Sequence, residues 1–137
     1  MIITVFFTFN TSLEDWEKSG ILDREIQLYK YINRKHNVNF NFITYGNIND
    51  IDLVKNLNFV RVFPIYLNNK RSTNKILSFL KSIFFLFKFY RIFKDSDIFK
   101  TNQINGSWLT FLASFLYNKP YILRCGYIWI NFLYLSK

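Results

Sequence analysis

The chain has 137 residues, 50% of them hydrophobic, which predicts one globular domain with a packed core. Its formal net charge of +9 lies in the second half, since residues 61–137 hold twelve Lys and Arg against two Asp and Glu, whereas residues 1–60 hold six against seven. The lone Cys125 excludes an intramolecular disulfide and a cysteine-based zinc cluster, so a reducing compartment, the cytoplasm, is expected.

The first predicted element is a strand over residues 2–9, where β-branched and aromatic side chains form a run typical of a strand buried on both faces. The amino terminus lacks a basic segment and a small-residue cleavage site, which argues against a secretory signal. A polar loop over residues 10–20 follows. It contains neither G-x-G-x-x-G nor G-x-x-x-x-G-K-[ST], which argues against a dinucleotide or ATP site.

This polar loop is acidic and aromatic. Glu14 and Asp15 precede Trp16, and Gly20 and Arg24 come a few residues later. Carboxylates beside an indole ring are groups that bind sugars, because a pyranose offers hydroxyl donors at its edge and an apolar face. The alternative is that both carboxylates are solvated and that Trp16 covers the core.

Apolar residues then recur at helical spacing from Leu22 to Ile32, and residues 34–36 supply the positive charge that suits a helix C-terminus. This pattern predicts the first helix. His36, the only histidine, lies in its basic end and is interpreted as a solvated side chain without a functional role.

Two further strands follow this helix. The second, over residues 38–44, alternates in the strand period and ends at Tyr45. A short polar segment over residues 47–56, with helix as one option, leads to a third strand over residues 59–63, which Pro64 closes.

A long helix is predicted over residues 72–93, and its basic residues suggest a membrane-facing side. Lys70, Lys81 and Lys88 fall within about 20° of one another around a helix axis, because successive residues turn by about 100°. The predicted membrane-surface residues are Lys70, Arg71, Lys81, Lys88 and Arg91. Apolar residues beside such cations suit a helix that lies in a membrane interface.

The remaining residues of this helix are assigned by the same periodicity. Those beside the cations are Leu77, Phe85, Phe89 and Ile92, and those expected to pack on the sheet are Phe79, Ile83, Leu86 and Tyr90. The alternative is ordinary core packing with the lysines in water. Charged residues interrupt every window of the ~18 apolar residues that a spanning helix needs, so no membrane span is predicted.

The last elements are a strand over residues 97–101, a polar loop, a helix over residues 107–117 and a strand over residues 121–123. Strands joined by helical crossovers run parallel and end on one side of a sheet, which is where open α/β sheets bind ligands. The predicted fold is therefore α/β, a Rossmann-like doubly wound parallel sheet of about five strands in the order 3-2-1-4-5 with helices on both faces.

Several short motifs in this order resemble the amino-terminal domain of family-four retaining glycosyltransferases of the GT-B fold. They are Leu13-Glu14-Asp15-Trp16, Gly20-Ile21-Leu22, Arg24-Glu25 with Tyr29, Thr44-Tyr45-Gly46, Lys100-Thr101-Asn102-Gln103 with Gly106, Lys119-Pro120, and Leu123-Arg124-Cys125-Gly126-Tyr127. The resemblance covers residues 1–127. It implies a Rossmann-like acceptor-side domain over those residues, with residues 128–137 beginning a following apolar segment.

The resemblance also implies a division of labour between two domains. The amino-terminal domain holds the sugar acceptor, a glycan or a lipid-linked sugar, and the carboxy-terminal domain binds the nucleotide-sugar donor. We expect this donor domain to be absent, so the chain would be incomplete and inactive alone unless a second domain or subunit supplies the donor site. No cofactor and no metal is expected. The cytoplasm is the expected location, with the inner face of the cell membrane as a further option.

The acceptor-binding residues implied by this resemblance are Glu14, Asp15, Trp16, Gly20, Arg24, Tyr45, Lys100, Asn102, Gln103, Arg124 and Tyr127. Catalytic residues stay unknown, because Gly126 occupies about the position where many members of the family carry a histidine. Arg124 is the first candidate, since a guanidinium at a strand end can clamp a phosphate or carboxylate through two hydrogen bonds. The alternative for Arg124 is a structural salt bridge.

A second hypothesis belongs to a different class, a non-catalytic basic module that binds anionic membrane lipid or nucleic acid. It rests on the positive charge of residues 61–137. No RNA- or DNA-binding motif accompanies these cations, so nucleic acid is not expected as a partner. A solvated Lys-rich face is the remaining interpretation of the charge.

Overall fold

The computed structural model describes residues 1–125, and within them five parallel strands form one sheet in the order β3-β2-β1-β4-β5. The strands are β1 (Ile2–Phe6), β2 (Asn39–Thr44), β3 (Val60–Pro64), β4 (Ile98–Thr101) and β5 (Tyr121–Ile122). The helices are α1 (Leu13–Lys18), α2 (Leu22–His36), α3 (Ile48–Leu53), α4 (Lys75–Lys88), α5 (Tyr90–Lys94) and α6 (Ser107–Tyr117). The predicted fold class and strand order are confirmed.

Strand β1 lies at the centre of the sheet and pairs on both sides. Ile3 is in register with Phe40 of β2 on one side and with Ile98 of β4 on the other. The chain therefore adds β2 and β3 on one side of β1 and then crosses back to add β4 and β5 on the other side. The reversal creates a topological switch point between the carboxyl ends of β1 and β4, the usual ligand position in open α/β sheets.

Alternate residues of β1 belong to two different cores. Val5 packs with α2 residues such as Tyr29 on one face of the sheet, and Phe6 packs with Leu86 and Leu109 of α4 and α6 on the other. Both sides of β1 reach a hydrophobic core, which explains why residues 2–9 are apolar except for Thr4 and Thr8. Helices on both faces were predicted, and this is confirmed.

Strand β1 is shorter than predicted, and its loop contains helix α1. Phe7 N–H still donates to the Ile43 carbonyl, but the chain turns at Asn10, whose φ is 58°. Helix α1 then begins with a capping box, because Ser12 Oγ accepts from Asp15 N–H at 3.1 Å and Asp15 Oδ2 accepts from Ser12 N–H at 2.8 Å. Reciprocal capping lets a helix form in a segment that its polarity alone marks as a loop.

The predicted long helix is two helices, α4 and α5, which meet at Phe89 with φ −108° and ψ 35°. The predicted sheet-facing side was wrong for two of its residues. Leu86 is buried as expected, but Phe79 is 42% exposed and Tyr90 is 48% exposed. The buried side of α4 instead contains Ser78 and Ser82, whose hydroxyls pair with buried tyrosines. Tyr66 Oη lies 2.7 Å from Ser78 Oγ, and Tyr45 Oη lies 2.9 Å from Ser82 Oγ.

Among residues 1–125, no helix has both the length and the apolar character that a membrane crossing requires. The predictions for Tyr127 and for the apolar segment 128–137 fall outside the residues that the structure describes.

Candidate ligand site at the carboxyl edge of the sheet

The loops after β1 and β4 are joined by backbone contacts at the switch point. Asn102 N–H donates to the Phe6 carbonyl at 2.8 Å, and Phe9 N–H donates to the Asn105 carbonyl at 3.2 Å. Gly106 has φ +97°, and a Cβ there would lie 2.8 Å from Phe9 N. Glycine is therefore required for the two loops to approach this closely, and the switch point has a fixed backbone.

Two side-chain amides at this edge retain unused hydrogen-bonding capacity. The Oδ1 atoms of Asn10, after β1, and Asn102, after β4, are buried and have no hydrogen-bond partner among the described residues. Asn102 as a whole is only 5% exposed. Buried acceptors without partners are uncommon, and a ligand that carries hydroxyl donors could satisfy them. Gln103 follows as a half-buried residue of the same loop.

A charged cluster lies between α2 and the ends of β4 and β5. Arg124 donates to both carboxylate oxygens of Glu25, at 2.6 Å and 3.1 Å. Glu25 is 5% exposed. Burial raises the pKa of Glu25, but the hydrogen bonds and positive charge of Arg124 outweigh it and hold that pKa below its ordinary value. Arg124 thus forms a bidentate ion pair with Glu25, which is the structural salt bridge considered above as the alternative for this residue.

Lys100 provides a second cation beside this ion pair. Its Nζ lies 3.4 Å from Tyr29 Oη and 3.3 Å from the Thr101 carbonyl, and within residues 1–125 it forms no ion pair with a carboxylate. Burial, followed by the positive charge of Arg124, lowers the pKa of Lys100 to about 8, and Glu25 acts in the opposite direction. The three side chains together carry two positive charges against one negative charge, an arrangement that favours an anionic ligand.

The acidic residues Glu14 and Asp15 lie apart from this cluster and pair with other parts of the protein. Asp15 Oδ2 lies 2.7 Å from Arg71 Nη1, and Glu14 Oε1 accepts from Asn49 Nδ2 at 3.1 Å. Burial raises the pKa of Asp15, but its hydrogen bonds to Ser12 and Arg71 lower that pKa by more. The pKa of Asp15 is therefore below its ordinary value. These contacts join α1 to α3 through Glu14 and to the segment before α4 through Asp15.

The aromatic residues predicted to contact a sugar are core residues. Trp16 is 2% exposed and stacks on Phe7 with ring centroids 4.3 Å apart. Tyr45 is 1% exposed and its hydroxyl pairs with Ser82. Neither ring presents a face to a ligand, so Trp16 covers the core, which was the alternative considered for it, and Tyr45 packs in the core as well. Gly20 lies just after α1 with φ +70°, and a Cβ at this position would have no atom within 4 Å.

Arg24 lies beside the cluster but projects outward. Its side chain is 73% exposed, and its Nη2 is 3.4 Å from Glu25 Oε1. An exposed ion pair of this length contributes little to stability, so Arg24 is available to solvent and to a ligand.

The predicted membrane-surface residues do not form a single helical stripe, because the helix begins at Lys75 and ends at Lys88. Lys70 is exposed in the loop before α4, Arg71 is paired with Asp15, and Arg91 is exposed on α5. Lys81 and Lys88 line an open pocket of about 250 Å³ beside α4. The pocket is lined by Pro64, Ile65, Leu67, Asn68, Asn69, Lys81, Phe84, Phe85, Lys88 and Phe89.

Asp50 and Glu25 are buried carboxylates that were not among the predicted site residues. Asp50 is completely buried, burial raises its pKa, and its Oδ1 accepts from Glu14 N–H at 3.2 Å. Its carboxylate lies so close to Gly46 that a Cβ at that position would overlap it. Glu25 had a detectable signal, since it falls on the apolar side of α2 beside Tyr29, where a lone carboxylate indicates a buried partner.

No protein-family model, no curated protein and no solved structure matches this chain. Its class is therefore defined by its own fold, an α/β doubly wound parallel sheet with a cationic cluster at the carboxyl edge. Within residues 1–125, no three His, Cys, Asp or Glu side chains come together as metal ligands.

Proposed function

We propose that this chain is the acceptor-binding half of a glycosyltransferase, which transfers a sugar from a nucleotide-sugar donor to a glycan or lipid-linked acceptor. The observation that supports it most is Lys100, a partly buried cation that has no carboxylate partner within residues 1–125 and lies at the edge where such sheets bind ligands. We infer that the acceptor carries a phosphate or carboxylate that meets this ammonium group.

Each residue of the cluster has a proposed part in binding. Glu25 holds the Arg124 guanidinium in place, and the positive charge that Glu25 leaves unbalanced attracts the anion. Asn10 and Asn102 accept hydrogen bonds from acceptor hydroxyls through the Oδ1 atoms that have no partner within residues 1–125. The ligand is thus oriented by one charged contact and two directional polar contacts.

The transfer itself needs a donor site, which we assign to a second domain or subunit. In the reaction, the bond from the anomeric carbon to the donor phosphate oxygen breaks, and a bond from that carbon to the acceptor hydroxyl oxygen forms. The departing phosphate can take up the hydroxyl proton, so a protein base is not obligatory. We therefore expect binding without turnover when this chain is assayed alone. A cytoplasmic location fits the free, exposed Cys125.

Calorimetry with sugar 1-phosphates and their unphosphorylated counterparts tests the proposal. The phosphorylated sugars should bind saturably, and Lys100→Gln should weaken binding by about tenfold or more, because hydrogen bonds to charged groups contribute about 1.5–3 kcal/mol. Lys94→Gln is the matched control, since Lys94 is an exposed lysine of the same basic half. Equal binding by both variants, or no saturable binding of any sugar, would contradict the proposal.

A further inference from the structure

The side of α4 that faces away from the sheet is apolar. Its central residues are Ile76, Leu80, Phe84 and Phe87, which are 72%, 56%, 65% and 58% exposed. Their spacing places them on one helical stripe, which we call the α4 outer face. A helix on the surface of a globular domain ordinarily has the opposite arrangement, with polar residues outward, whereas in α4 the serines are inward.

The apolar surface continues beyond α4. Phe79 of α4 lies against Trp108 of α6 with ring centroids 4.6 Å apart, and both helices cover the same face of the sheet. Phe111 and Phe115 of α6 are 59% and 79% exposed. Single exposed apolar residues are common, but adjoining helices that both expose phenylalanines mark an interaction surface.

Cations and amide groups border this surface. Residues 53–94 contain nine Lys and Arg and no Asp or Glu. Lys81 and Lys88 line the pocket of about 250 Å³ together with Asn68 and Asn69, and Phe84 belongs both to that pocket and to the α4 outer face. The pocket can therefore take an anionic group at the border of an apolar surface.

We infer that the α4 outer face docks on an anionic lipid membrane. Phe84 and Phe87 enter the boundary between headgroups and acyl chains, while Lys81 and Lys88 contact lipid phosphates. A membrane suits this surface better than a second copy of the chain, because a symmetric dimer would bring the same cations together, and residues 53–94 offer no carboxylate to pair with them. The inference is independent of the proposed carbohydrate site.

Vesicle co-sedimentation tests the apolar part of the inference. The protein should bind vesicles of mixed phosphatidylglycerol and phosphatidylcholine more tightly than vesicles of phosphatidylcholine alone. The double variant Phe84→Ser with Phe87→Ser should bind at least about tenfold more weakly, because each phenylalanine loses apolar burial. Leu28→Ser with Tyr31→Ser is the matched control, since these residues of α2 are 43% and 61% exposed on the opposite face of the sheet.

A charge series tests the electrostatic part. Lys81→Gln with Lys88→Gln should weaken binding to the anionic vesicles and reduce its dependence on salt. Lys18→Gln with Lys35→Gln removes the same charge from exposed sites on α1 and α2. Equal losses in both double variants would overturn the inference, because they would show attraction to net charge without a defined docking face.

A nitroxide label at a single position tests docking even where a double variant folds poorly. In a Cys125→Ser background, a nitroxide attached at Phe87→Cys should become inaccessible to a polar relaxation agent and accessible to oxygen when anionic vesicles are added. The same label at Tyr31→Cys should stay in water. A label at position 87 that stays in water, or a concentration-dependent dimer that Phe84→Ser with Phe87→Ser dissolves, would overturn membrane docking.

Discussion

Glu25 is the residue on which the charged cluster depends. It is 5% exposed, and its carboxylate pairs with Arg124 and, at 3.4 Å, with the exposed Arg24. Replacing it therefore leaves both Arg124 and Lys100 without a carboxylate partner among residues 1–125. The pair joins α2 to the end of β5 across 99 residues of sequence. The ion pair therefore connects two parts of the fold and sets the charge of the candidate site.

Glu25→Gln should lower the free energy of unfolding by about 1–3 kcal/mol, because it removes charge-assisted hydrogen bonds from a buried group. The folded-state pKa of Glu25 lies below its value of 4.5 in the unfolded chain, so its stabilising effect is present above that pH and is lost as the pH falls through the folded-state pKa. Urea denaturation of both proteins over a pH series measures the difference.

Arg24→Gln is the control, because Arg24 is 73% exposed and its ion pair is long. It should change the free energy of unfolding by less than about 0.5 kcal/mol. A Glu25→Gln effect no larger than that of Arg24→Gln, or one that persists at low pH, would contradict the buried ion pair.

Gly106 and Gly20 provide a matched test of the switch-point backbone. Both have positive φ, +97° and +70°, but a Cβ at Gly106 would lie 2.8 Å from Phe9 N, whereas a Cβ at Gly20 meets open space. Gly20→Ala should cost about 1 kcal/mol from backbone conformation alone, and Gly106→Ala should cost more because Phe9 must also move. Thermal unfolding compares the two, and equal costs would contradict the close contact of the loops.

At the scale of elements, α4 is held by hydroxyl groups rather than by apolar packing alone. Ser82 Oγ lies 2.9 Å from Tyr45 Oη, and both residues are buried. Ser82→Ala should lower the free energy of unfolding by about 1–3 kcal/mol, because it leaves the tyrosine hydroxyl buried without this partner.

Tyr45→Phe added to Ser82→Ala should recover part of that loss, since removing both partners leaves no unpaired polar group. A double-mutant cycle in denaturant measures the coupling between the two positions. Additive losses would indicate that the two hydroxyls do not depend on each other.

The sequence predicted the elements with strong local signals. Helix α6 has the same bounds as predicted, 107–117, because Gly106 precedes it and Lys119 and Pro120 follow it. The strands were recognisable from their mostly apolar segments, since burial on both faces favours apolar residues, although Thr4 and Asn41 are also buried and pair with each other inside the sheet. Helix α1 was missed although its signal, the Ser12–Asp15 capping box, was readable.

The orientation of α4 and much of the site depend on long-range contacts that periodicity does not contain. Helix α4 has apolar residues on nearly every side, so the spacing of phenylalanines did not fix which side faces the sheet. Tyr45 selects that side from 37 positions away, through Ser82. Arg124 and Lys100 were candidates from their strand-end positions, but the pairing of Arg124 with Glu25 required the tertiary fold.

In the molecule as a whole, part of the excess positive charge lies at two separate surfaces. Residues 61–137 hold twelve Lys and Arg, among them Lys100 and Arg124 at the carboxyl edge and Lys81 and Lys88 beside α4. An acceptor that is anchored in an anionic membrane would suit both surfaces, whereas a free glycan would use the carboxyl edge alone. Binding at one of these surfaces can therefore be lost while binding at the other is kept.

The most direct measurement is a pH titration of the Lys100 Cε carbon shift by NMR, with and without a saturating sugar 1-phosphate. We expect a midpoint at about 8 for the protein alone, a lower midpoint in Glu25→Gln, and a higher midpoint when the phosphorylated sugar is bound, because the anion favours the protonated amine. A midpoint near the ordinary 10.5 that no sugar phosphate shifts would contradict an anion site at Lys100.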